Sequence, residues 1–402
     1  MTDDGQRRTI SEPQEGFSRF LFKIRYGGLS WIFRRLHSEL VLPTTKPGKW
    51  LHAVVRYTLA LCAKPKRYFQ RQYSGQSPFT LDTLYAFYDL KVEPITFDFL
   101  WFLTGADLER RKRGLKQIHV VIVPGPVEGL RTEDPQYEVD VPQEARRWRI
   151  HNILLGATTL LPACTSVTLA GTREMTSNIR SQAGSNIYPP VYETALPSAH
   201  HPNDSLLPAK AGIRPIGVLR ATSQGLGYID QWKMGRGKDK RLLTITIREY
   251  GYGSARNSNI RAWVDFIRQL DPNLWFPVFV LDTERTLDTL PDQIQGVTVF
   301  REVSWNIGLR MSLYQRAWLN LGVNNGPMAL CWLNDKTRYL TFKIVTPSVS
   351  QTTLAFNLSR GFEAYQSLPF ALPFQKWIWE DDDLPVICRE FESMVKTIEN
   401  IE

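Results

Sequence analysis

An apolar stretch near the end of the chain, LGVNNGPMALCW (321–332), is interrupted by two amides, a glycine and a proline. These residue types are common in plain turns, so the segment could simply connect two elements. Alternatively, a strand ends at the amides, and the backbone N–H groups that follow begin a helix whose positive end attracts a phosphate. The glycine would permit close approach of a ligand, and the proline suits the first helical turn. We favour the phosphate-binding interpretation, with the expected contacts Asn324, Asn325, Gly326, Pro327 and Met328.

Two arginines could supply the positive charge that a phosphate requires. Arg248 lies at the end of the strand-like run RLLTITIRE, and its planar guanidinium can hold a phosphate through two hydrogen bonds. An ion pair with a neighbouring carboxylate is the alternative. Arg256 follows in the loop EYGYGSARNSN, in which Asn257 or Ser258 would cap the next helix. Since open α/β sheets bind ligands at the carboxyl ends of their strands, we predict that a phosphate lies between Arg248 and the 324–328 turn.

Four further residues could contact the rest of such a ligand. Asp282 and Glu284 end the run FVLDTE, and their carboxylates could accept hydrogen bonds from ribose or sugar hydroxyls. A helix cap or a solvated loop is the alternative for these two. Trp305 and Asn306 precede a predicted helix. The indole could stack on a base, although a Trp side chain more often lies in a core.

Strand-like and helix-like segments alternate in both halves of the chain. The short apolar run IHVVIVPG is typical of a strand buried on both faces of a parallel sheet, and TFDFLWFLTGADLERRKRGL has the spacing of an amphipathic helix. The order β-α-β-α-β predicts a Rossmann-like sheet. The predicted fold class is α/β, with two Rossmann-like domains facing a cleft and a basic helical N-terminal extension. The predicted units are 1–80 for the extension, 81–200 and 201–375 for the two domains, and 376–402 for a final helix, with 180–215 as the connection between the domains.

Several classes of protein are disfavoured by the motifs that the sequence lacks. Neither half contains a GxGxxG or GxxxxGK[ST] loop, which argues against dinucleotide dehydrogenases and P-loop NTPases. The four cysteines are far apart, without a CxxC or a nearby His pair, so we expect neither zinc nor a disulfide framework. A reducing compartment fits this cysteine usage, and the polar, charged start does not resemble a secretory signal. The run EDDD (380–383) is interpreted as a solvated loop and not as a metal-binding DxD motif.

The net charge of +9 is confined to the start of the chain. Residues 1–80 hold 14 Lys and Arg against 5 Asp and Glu, whereas the remaining 322 residues hold 35 of each sign. In this segment aromatic and aliphatic residues alternate with basic ones, as in helices that lie on anionic membranes. Its apolar stretches are too short and too interrupted to span a bilayer. Packing on the protein's own surface or on a partner is the main alternative, and no recognised motif supports nucleic-acid binding.

Three blocks of the second half occur in an order that resembles the C-terminal half of GT-B-fold glycosyltransferases. They are TITIREYGYGSARNSNIRAWVDFIRQL, VFVLDTE and LGVNNGPMAL, and they lie within roughly residues 215–345. The heptosyltransferase-like and fucosyltransferase-like branches show versions of this layout, with an Arg at a strand end and an N-x-G-P-x-x-L loop that holds the nucleotide-sugar. The resemblance implies a nucleotide-sugar donor bound by the C-terminal domain and an acceptor bound by the N-terminal domain.

The function that this resemblance implies is sugar transfer to a glycan, glycolipid or other surface-carbohydrate acceptor. An inverting enzyme of this kind uses a carboxylate or His to deprotonate the acceptor hydroxyl. By topology Asp89, at the end of the first predicted strand, is the best-placed candidate. Glu93, Asp98, His119 and Glu128 lie in the same loops. Asp98 is interpreted as a first-turn acid of a helix, and His119 as part of a buried strand.

The remaining expectations rest on the missing DxD motif, on the cysteine usage and basic N-terminus, and, for the final helix, on the resemblance. We expect no cofactor and no metal, and a final helix that returns to pack near the N-terminal domain. The predicted location is cytoplasmic, or peripheral on the inner face of the membrane. A non-catalytic nucleotide- or glycan-binding protein and a membrane-surface scaffold remain alternatives. The sequence leaves open the base and sugar of the donor, the acceptor, the oligomeric state and whether the mechanism is inverting or retaining.

Overall fold

The computed structural model describes residues 45–73, 81–237, 239–283 and 296–402, together with residues 36, 40, 43, 286, 288 and 294. Most of the first 44 residues and Glu284 lie outside this part of the chain. Two parallel β-sheets with helices packed on them form its body. This arrangement confirms the predicted α/β class with two Rossmann-like halves.

The first sheet has four parallel strands in the order β3-β2-β1-β4. The strands are β1 (Thr83–Asp89), β2 (Gln117–Val123), β3 (Cys164–Leu169) and β4 (Ile187–Tyr188). The central strands β1 and β2 are buried along most of their length, because helices pack on both faces of a parallel sheet. β4 lies within the stretch predicted to be a connection between domains. It pairs with β1 on the side opposite β2, so the direction of strand order reverses between β1 and β4.

The helices of the first half include the predicted ones and several short segments. They are α1 (Lys46–Tyr73), α2 (Phe99–Lys112), α3 (Pro135–Asp140), α4 (Gln143–Arg149), α5 (Gly156–Thr158), α6 (Arg173–Ala183) and α7 (Asn203–Lys210). A π-helical segment, Ile150–Leu155, joins α4 to α5. The segment EARRWRIHNILLGATTLL is therefore continuously helical but locally widened. Among the described residues, no helix is both long enough and apolar enough to cross a bilayer.

The second sheet has five parallel strands in the order β6-β5-β7-β8-β9. The strands are β5 (Arg241–Thr246), β6 (Trp275–Val280), β7 (Leu319–Val323), β8 (Tyr339–Phe342) and β9 (Gln375–Trp377). From β5 the chain proceeds to β6 on one side, then returns to form β7 on the other. The topological switch point, where such sheets bind ligands, therefore lies between β5 and β7.

The helices of the second half are mostly short. They are α8 (Ser223–Gly237), α9 (Ile260–Ile267), α10 (Glu302–Trp305), α11 (Ile307–Arg316), α12 (Ala329–Trp332), α13 (Leu354–Ser359) and α14 (Leu384–Glu399). The segment VTVFREV forms only one β-bridge, between Val299 and Phe279. It does not continue as a strand because the chain enters α10 two residues after Phe300.

The final helix packs differently from its prediction. α14 buries Ile387, Met394 and Phe391 in the core of the second sheet, and the Phe391 ring meets Phe266 and Trp275 at 5.0 Å each. It is held in its own half and does not return to the N-terminal one, because its apolar face matches α9 and the sheet beneath. The preceding EDDD run is also not fully solvated. Asp382 in this run is 1% exposed and accepts hydrogen bonds from the second half.

The two halves share one hydrophobic core. A single cluster of buried side chains contains residues of the first sheet, such as Leu84, and residues of the second half, such as Met328. In this cluster the Trp101 indole of α2 meets Phe362 at 5.9 Å and Phe370 at 6.3 Å. The site at the switch point is therefore held between two halves that are packed together.

Candidate functional site

The switch point of the second sheet brings two predicted elements together. Arg248 follows β5 closely, and Arg256 lies in a 3₁₀ turn, Ser254–Arg256, of the same loop. Asn324 follows the end of β7. One terminal guanidinium nitrogen of Arg256 donates to the Asn324 carbonyl at 3.0 Å. The arginine loop and the amide turn therefore meet at the ligand-binding end of the sheet, as predicted from the parallel order.

The buried side chain of Arg248 organises its own loop. Its guanidinium donates to the carbonyls of Gly253 at 3.1 Å and Tyr252 at 2.6 Å, and also to Oδ1 of Asn257. The Tyr250 ring lies 5.7 Å from the guanidinium carbon. These bonds fix the shape of the loop, so that Arg248 has a structural role in addition to any contact with a ligand.

The two arginines form a desolvated pair of like charges. In the described part of the chain, neither has a carboxylate within ion-pair distance. Nε of Arg256 is buried and has no hydrogen-bond partner there. Burial, and next the charge of Arg248, lowers the pKa of Arg256 to about 10, and burial also lowers the pKa of Arg248. Because unpaired buried charge is unfavourable, this arrangement favours an anion that would neutralise both groups.

The two amides of the 324–328 turn are used for structure. Nδ2 of Asn324 donates to the Ile344 carbonyl at 2.9 Å, and Oδ1 of Asn325 accepts from the Met328 N–H at 3.1 Å. Asn325 thus caps a short helical segment that runs from Gly326 to Trp332. For these side chains the structure supports the plain-turn alternative, since Nδ2 of Asn324 and Oδ1 of Asn325 are bound to backbone groups. Pro327 lies in the first turn of the segment, and Met328 is fully buried.

Gly326 permits close approach, but to a side chain of the other half. A Cβ added at this position would lie 2.8 Å from the Phe97 ring. Phe97 belongs to the loop that follows β1, so the loops at the carboxyl ends of both sheets meet here. In this arrangement the Phe97 ring covers the turn on which a phosphate was expected. The two arginines are the part of the predicted site that has no carboxylate within ion-pair distance among the described residues.

Asp282 links the ends of two strands of the second sheet. The backbone N–H groups of Glu249, after β5, and of Thr283 lie close enough to its carboxylate to lower its pKa. Burial raises its pKa, opposed by the positive charges of Arg310 and Arg248. Asp282 thus lies beside the arginine loop, as predicted, while Glu284 lies outside the described residues.

Aromatic side chains of both halves line a small cleft between the two halves. Trp305 is 44% exposed and meets Trp148 of the first half edge-on at 5.2 Å. Asn306 is not turned to the cleft, because its Oδ1 caps α11 by accepting from the Leu309 N–H. Sequence reasoning did not find the first-half contributions, since nothing in their spacing indicates a shared wall. The lining includes Phe97, Trp148, Asn152, Thr283, Trp305 and Arg310.

Asp89 lies at the end of β1, as predicted, but its carboxylate is fully occupied. It is 1% exposed and accepts two hydrogen bonds of 2.8 Å from Arg173. The Tyr192 hydroxyl donates to it at 2.6 Å, and the Lys91 N–H at 2.9 Å. A general base must reach the proton that it removes. This buried, neutralised ion pair corrects our expectation, because it fits a structural role and leaves no face for an acceptor hydroxyl.

A different carboxylate of the same loop is accessible. Asp98 is exposed, makes no capping hydrogen bond to α2 and accepts from the Thr96 hydroxyl at 3.1 Å. It lies close enough to Arg256 for its charge to raise the pKa of that arginine. Glu93, by contrast, is buried and accepts from the backbone N–H of His200 at 2.6 Å. The sequence carries no signal that would have preferred Asp98, because Asp89 and Glu93 both lie closer to the end of β1.

The two other candidates of the first half have structural contacts. His119 lies in β2 and shares a hydrogen bond of 2.8 Å with the Thr168 hydroxyl. Glu128 is bound by Gln143 and Arg147. In the described residues, no group of three His, Cys, Asp or Glu side chains is arranged to hold a metal ion.

Comparisons with known proteins give matches only among solved structures. No protein-family model and no curated protein matches the chain. A glycosyl transferase family 9 protein from Veillonella parvula DSM 2008 is 12% identical, with 79% of this chain and 97% of that chain covered and a TM-score of 0.38. ADP-heptose lps heptosyltransferase II of E. coli is 8% identical, with coverages of 79% and 99% and a TM-score of 0.39. NodZ alpha-1,6-fucosyltransferase, soaked with GDP-fucose, is 11% identical, with coverages of 62% and 92% and a TM-score of 0.29. All three are glycosyltransferases.

Proposed function

We propose that the chain is a glycosyltransferase whose nucleotide-sugar donor places its phosphates against Arg248 and Arg256. The observation that carries this proposal is the desolvated guanidinium pair at the switch point, which lacks a carboxylate partner in the described residues. A phosphate supplies the missing charge, and the planar guanidinium group is suited to bind it through paired hydrogen bonds. The sequence blocks that resemble GT-B-fold enzymes support a sugar nucleotide as the source of that phosphate.

The small cleft between the halves supports an aromatic contact with this donor, since Phe97 both lines the cleft and lies against Gly326. The half-exposed Trp305 offers an aromatic face on which a base or a sugar ring can stack. Trp148 approaches from the other half, so that a ligand in the cleft would contact both. We further propose that a carbohydrate or glycolipid acceptor binds on the N-terminal side and that transfer needs no metal. The proposed location is cytoplasmic, with contact to the inner face of a membrane.

We assign the proton acceptor to Asp98 in place of Asp89. During transfer, the acceptor hydroxyl oxygen would bond to the anomeric carbon while the bond from that carbon to the phosphate oxygen breaks. The hydroxyl proton would pass to Asp98, which is exposed and lies beside the cation pair. The negative charge left on the phosphate would be met by Arg256 and Arg248 in a partly desolvated site.

Calorimetric titration with UDP, GDP, ADP and CMP tests donor binding. We expect at least one nucleotide to bind, and Arg256→Gln to weaken that nucleotide at least tenfold, because a charge-assisted hydrogen bond contributes about 1.5–3 kcal/mol. The matched control is Arg316→Gln, which removes an exposed arginine paired with Asp230. Arg248→Gln should weaken both binding and stability, since its side chain holds the loop. Unchanged affinity in Arg256→Gln would refute the proposed phosphate contact.

A measurement of turnover distinguishes an enzyme from a non-catalytic nucleotide-binding protein. The second possibility is favoured by the fully paired carboxylate of Asp89. With the donor identified by titration, we expect Asp98→Asn to slow donor hydrolysis or transfer by about a hundredfold or more. Its nucleotide affinity should stay close to that of the unsubstituted chain. If the nucleotide binds but neither protein shows hydrolysis or transfer, the chain is a non-catalytic nucleotide-binding protein.

A further inference from the structure

One face of α1 is attached to the first half of the protein. His52 is buried, and the half-buried Arg56 donates a hydrogen bond to the Ser198 hydroxyl. The helix also packs against α6. These contacts fix which side of α1 points away from the protein.

The opposite side of α1 carries a stripe of large apolar residues. Trp50 is 70% exposed and Tyr57 is 59% exposed, and Val54 and Leu61 are exposed as well. Their spacing of four, three and four residues places all of them on one helical face. Within the part of the chain that the structure describes, this stripe has no covering element. Exposed apolar surface of this kind commonly marks a membrane or protein contact.

The charge of α1 is suited to an anionic partner. Its 28 residues contain seven Lys and Arg and no Asp or Glu. Basic residues flank the apolar stripe in sequence, with Lys46 and Lys49 on its N-terminal side and both exposed. An amphipathic helix with aromatic residues on one face and basic residues around it is typical of helices that lie in the interface of an anionic bilayer.

The helix α1 contacts the loop 198–204, which leads to the loop of the proposed base. The Arg56 guanidinium of α1 donates to the Ser198 hydroxyl, two residues before His200. The backbone N–H of His200 donates to Glu93. Glu93 belongs to the loop that continues to Asp98. The helix α1 and the acceptor side of the cleft are therefore joined through the loop 198–204.

We infer that α1 lies on an anionic lipid bilayer, with Trp50, Val54, Tyr57 and Leu61 inserted among the lipids. The loop 198–204, which contacts the opposite face of α1 through Ser198, would then lie about one helix diameter, roughly 10 Å, from the lipids and beside the acceptor side of the cleft. The consequence for the acceptor rests on the proposed function: a carbohydrate anchored in that bilayer would reach Asp98 without leaving the membrane.

Flotation of the full chain with lipid vesicles tests this surface. We expect binding to vesicles of phosphatidylcholine mixed with phosphatidylglycerol and little binding to phosphatidylcholine alone. The double variant Trp50→Ser/Tyr57→Ser should bind at least tenfold more weakly, because two aromatic side chains no longer bury apolar surface in the lipid. The matched control, Met234→Ser, changes an exposed apolar residue of α8 in the other half and should bind normally. Lys46→Gln and Lys49→Gln should each weaken binding about fivefold.

Two further measurements complete the test. Hydrogen exchange should show protection by anionic vesicles in residues 46–62, and protection confined to other segments would overturn the orientation. Heparin or RNA is then added as a competitor for vesicle binding. This tests the alternative that α1 binds any polyanion through its charge alone. If the lysine variants lose vesicle binding while Trp50→Ser/Tyr57→Ser does not, and heparin binds equally well, the membrane inference is wrong. Nucleotide titration of the same variants keeps the two proposals apart, since α1 variants should retain nucleotide affinity.

Discussion

At the scale of single residues, the adjacent histidines His200 and His201 have opposite pKa shifts. Burial alone would lower the pKa of His200, but the Glu93 carboxylate outweighs burial and raises it. The stabilising effect of His200 is therefore complete below about pH 6.5 and is lost as pH rises through its folded pKa. Burial lowers the pKa of His201 to about 4. Because the unfolded chain binds this proton more readily, His201 makes stability fall as pH drops from about 6.5 toward 4.

The pH dependence of urea unfolding tests these opposite shifts. We expect His200→Gln to remove part of the decline in unfolding free energy above about pH 6.5, and His201→Gln to remove part of the decline below it. Each histidine can contribute a slope of at most about 1.4 kcal/mol per pH unit. Each variant serves as the control for the other. Curves that run parallel to that of the unsubstituted chain across the whole range would contradict the assignment.

The sequence indicated some site residues better than others. Arg248 and Arg256 could be found because an arginine at the end of a strand, and another in the following loop, are local features. The occupation of Asp89 could not, because its partners Arg173 and Tyr192 lie 84 and 103 residues further along the chain. A carboxylate at a strand end has the same local sequence whether it is free or paired. The choice between Asp89 and Asp98 therefore depends on contacts that no spacing encodes.

At the scale of elements, the start of α9 is fixed by a buried acid of the EDDD run. Oδ2 of Asp382 accepts from the Asn259 N–H at 2.7 Å and from Nε1 of Trp263 at 2.8 Å. Replacing Asp382 with Ala would leave both donors unpaired, and each costs about 1–3 kcal/mol when buried. We expect Asp382→Ala to lower the free energy of unfolding in urea by about 2–4 kcal/mol.

The neighbouring residue gives a control for this element. Asp381 is exposed, and Asp381→Ala should change stability by no more than about 0.5 kcal/mol. Equal effects of the two substitutions would mean that the run acts through its total charge and not through Asp382. The sequence interpretation of EDDD as solvated failed at one position of four, since a charge run does not reveal which member turns inward.

Long periodic elements were predicted more readily than short ones. The central strands β1, β2 and β5 appear in the sequence as apolar runs, and α2 has a clear helical spacing. The two-residue β4 and the three-residue β9 have no pattern of their own. They form only because a neighbouring strand offers backbone partners, as β1 does for β4 and β8 does for β9. Tertiary pairing thus defines the sheet edges that the local sequence leaves undefined.

At the scale of the whole molecule, the shared core predicts that the two halves unfold together. Trp101 is 5% exposed and lies between residues of both halves. We expect a single calorimetric transition for the described body, with equal calorimetric and van't Hoff enthalpies. Trp101→Ala should lower stability by about 3–5 kcal/mol, because it removes a large buried side chain. Two resolved transitions in the unsubstituted chain would contradict a common core.

The two-sheet layout was predictable from the alternation of strand-like and helix-like segments. The common core was not predictable, since hydrophobic periodicity indicates that a face is buried but not which element covers it.

The contact of α2 with residues 362–370 also limits which substitutions this protein can tolerate during evolution. A substitution that enlarges or shrinks Trp101 alters the space available to Phe362 and Phe370, so mutations in one segment alter which mutations the other tolerates. Recombination that brings α2 from one parent and the later segment from another would break a matched set of side chains. The two halves should therefore be inherited as one unit, although each contains its own sheet.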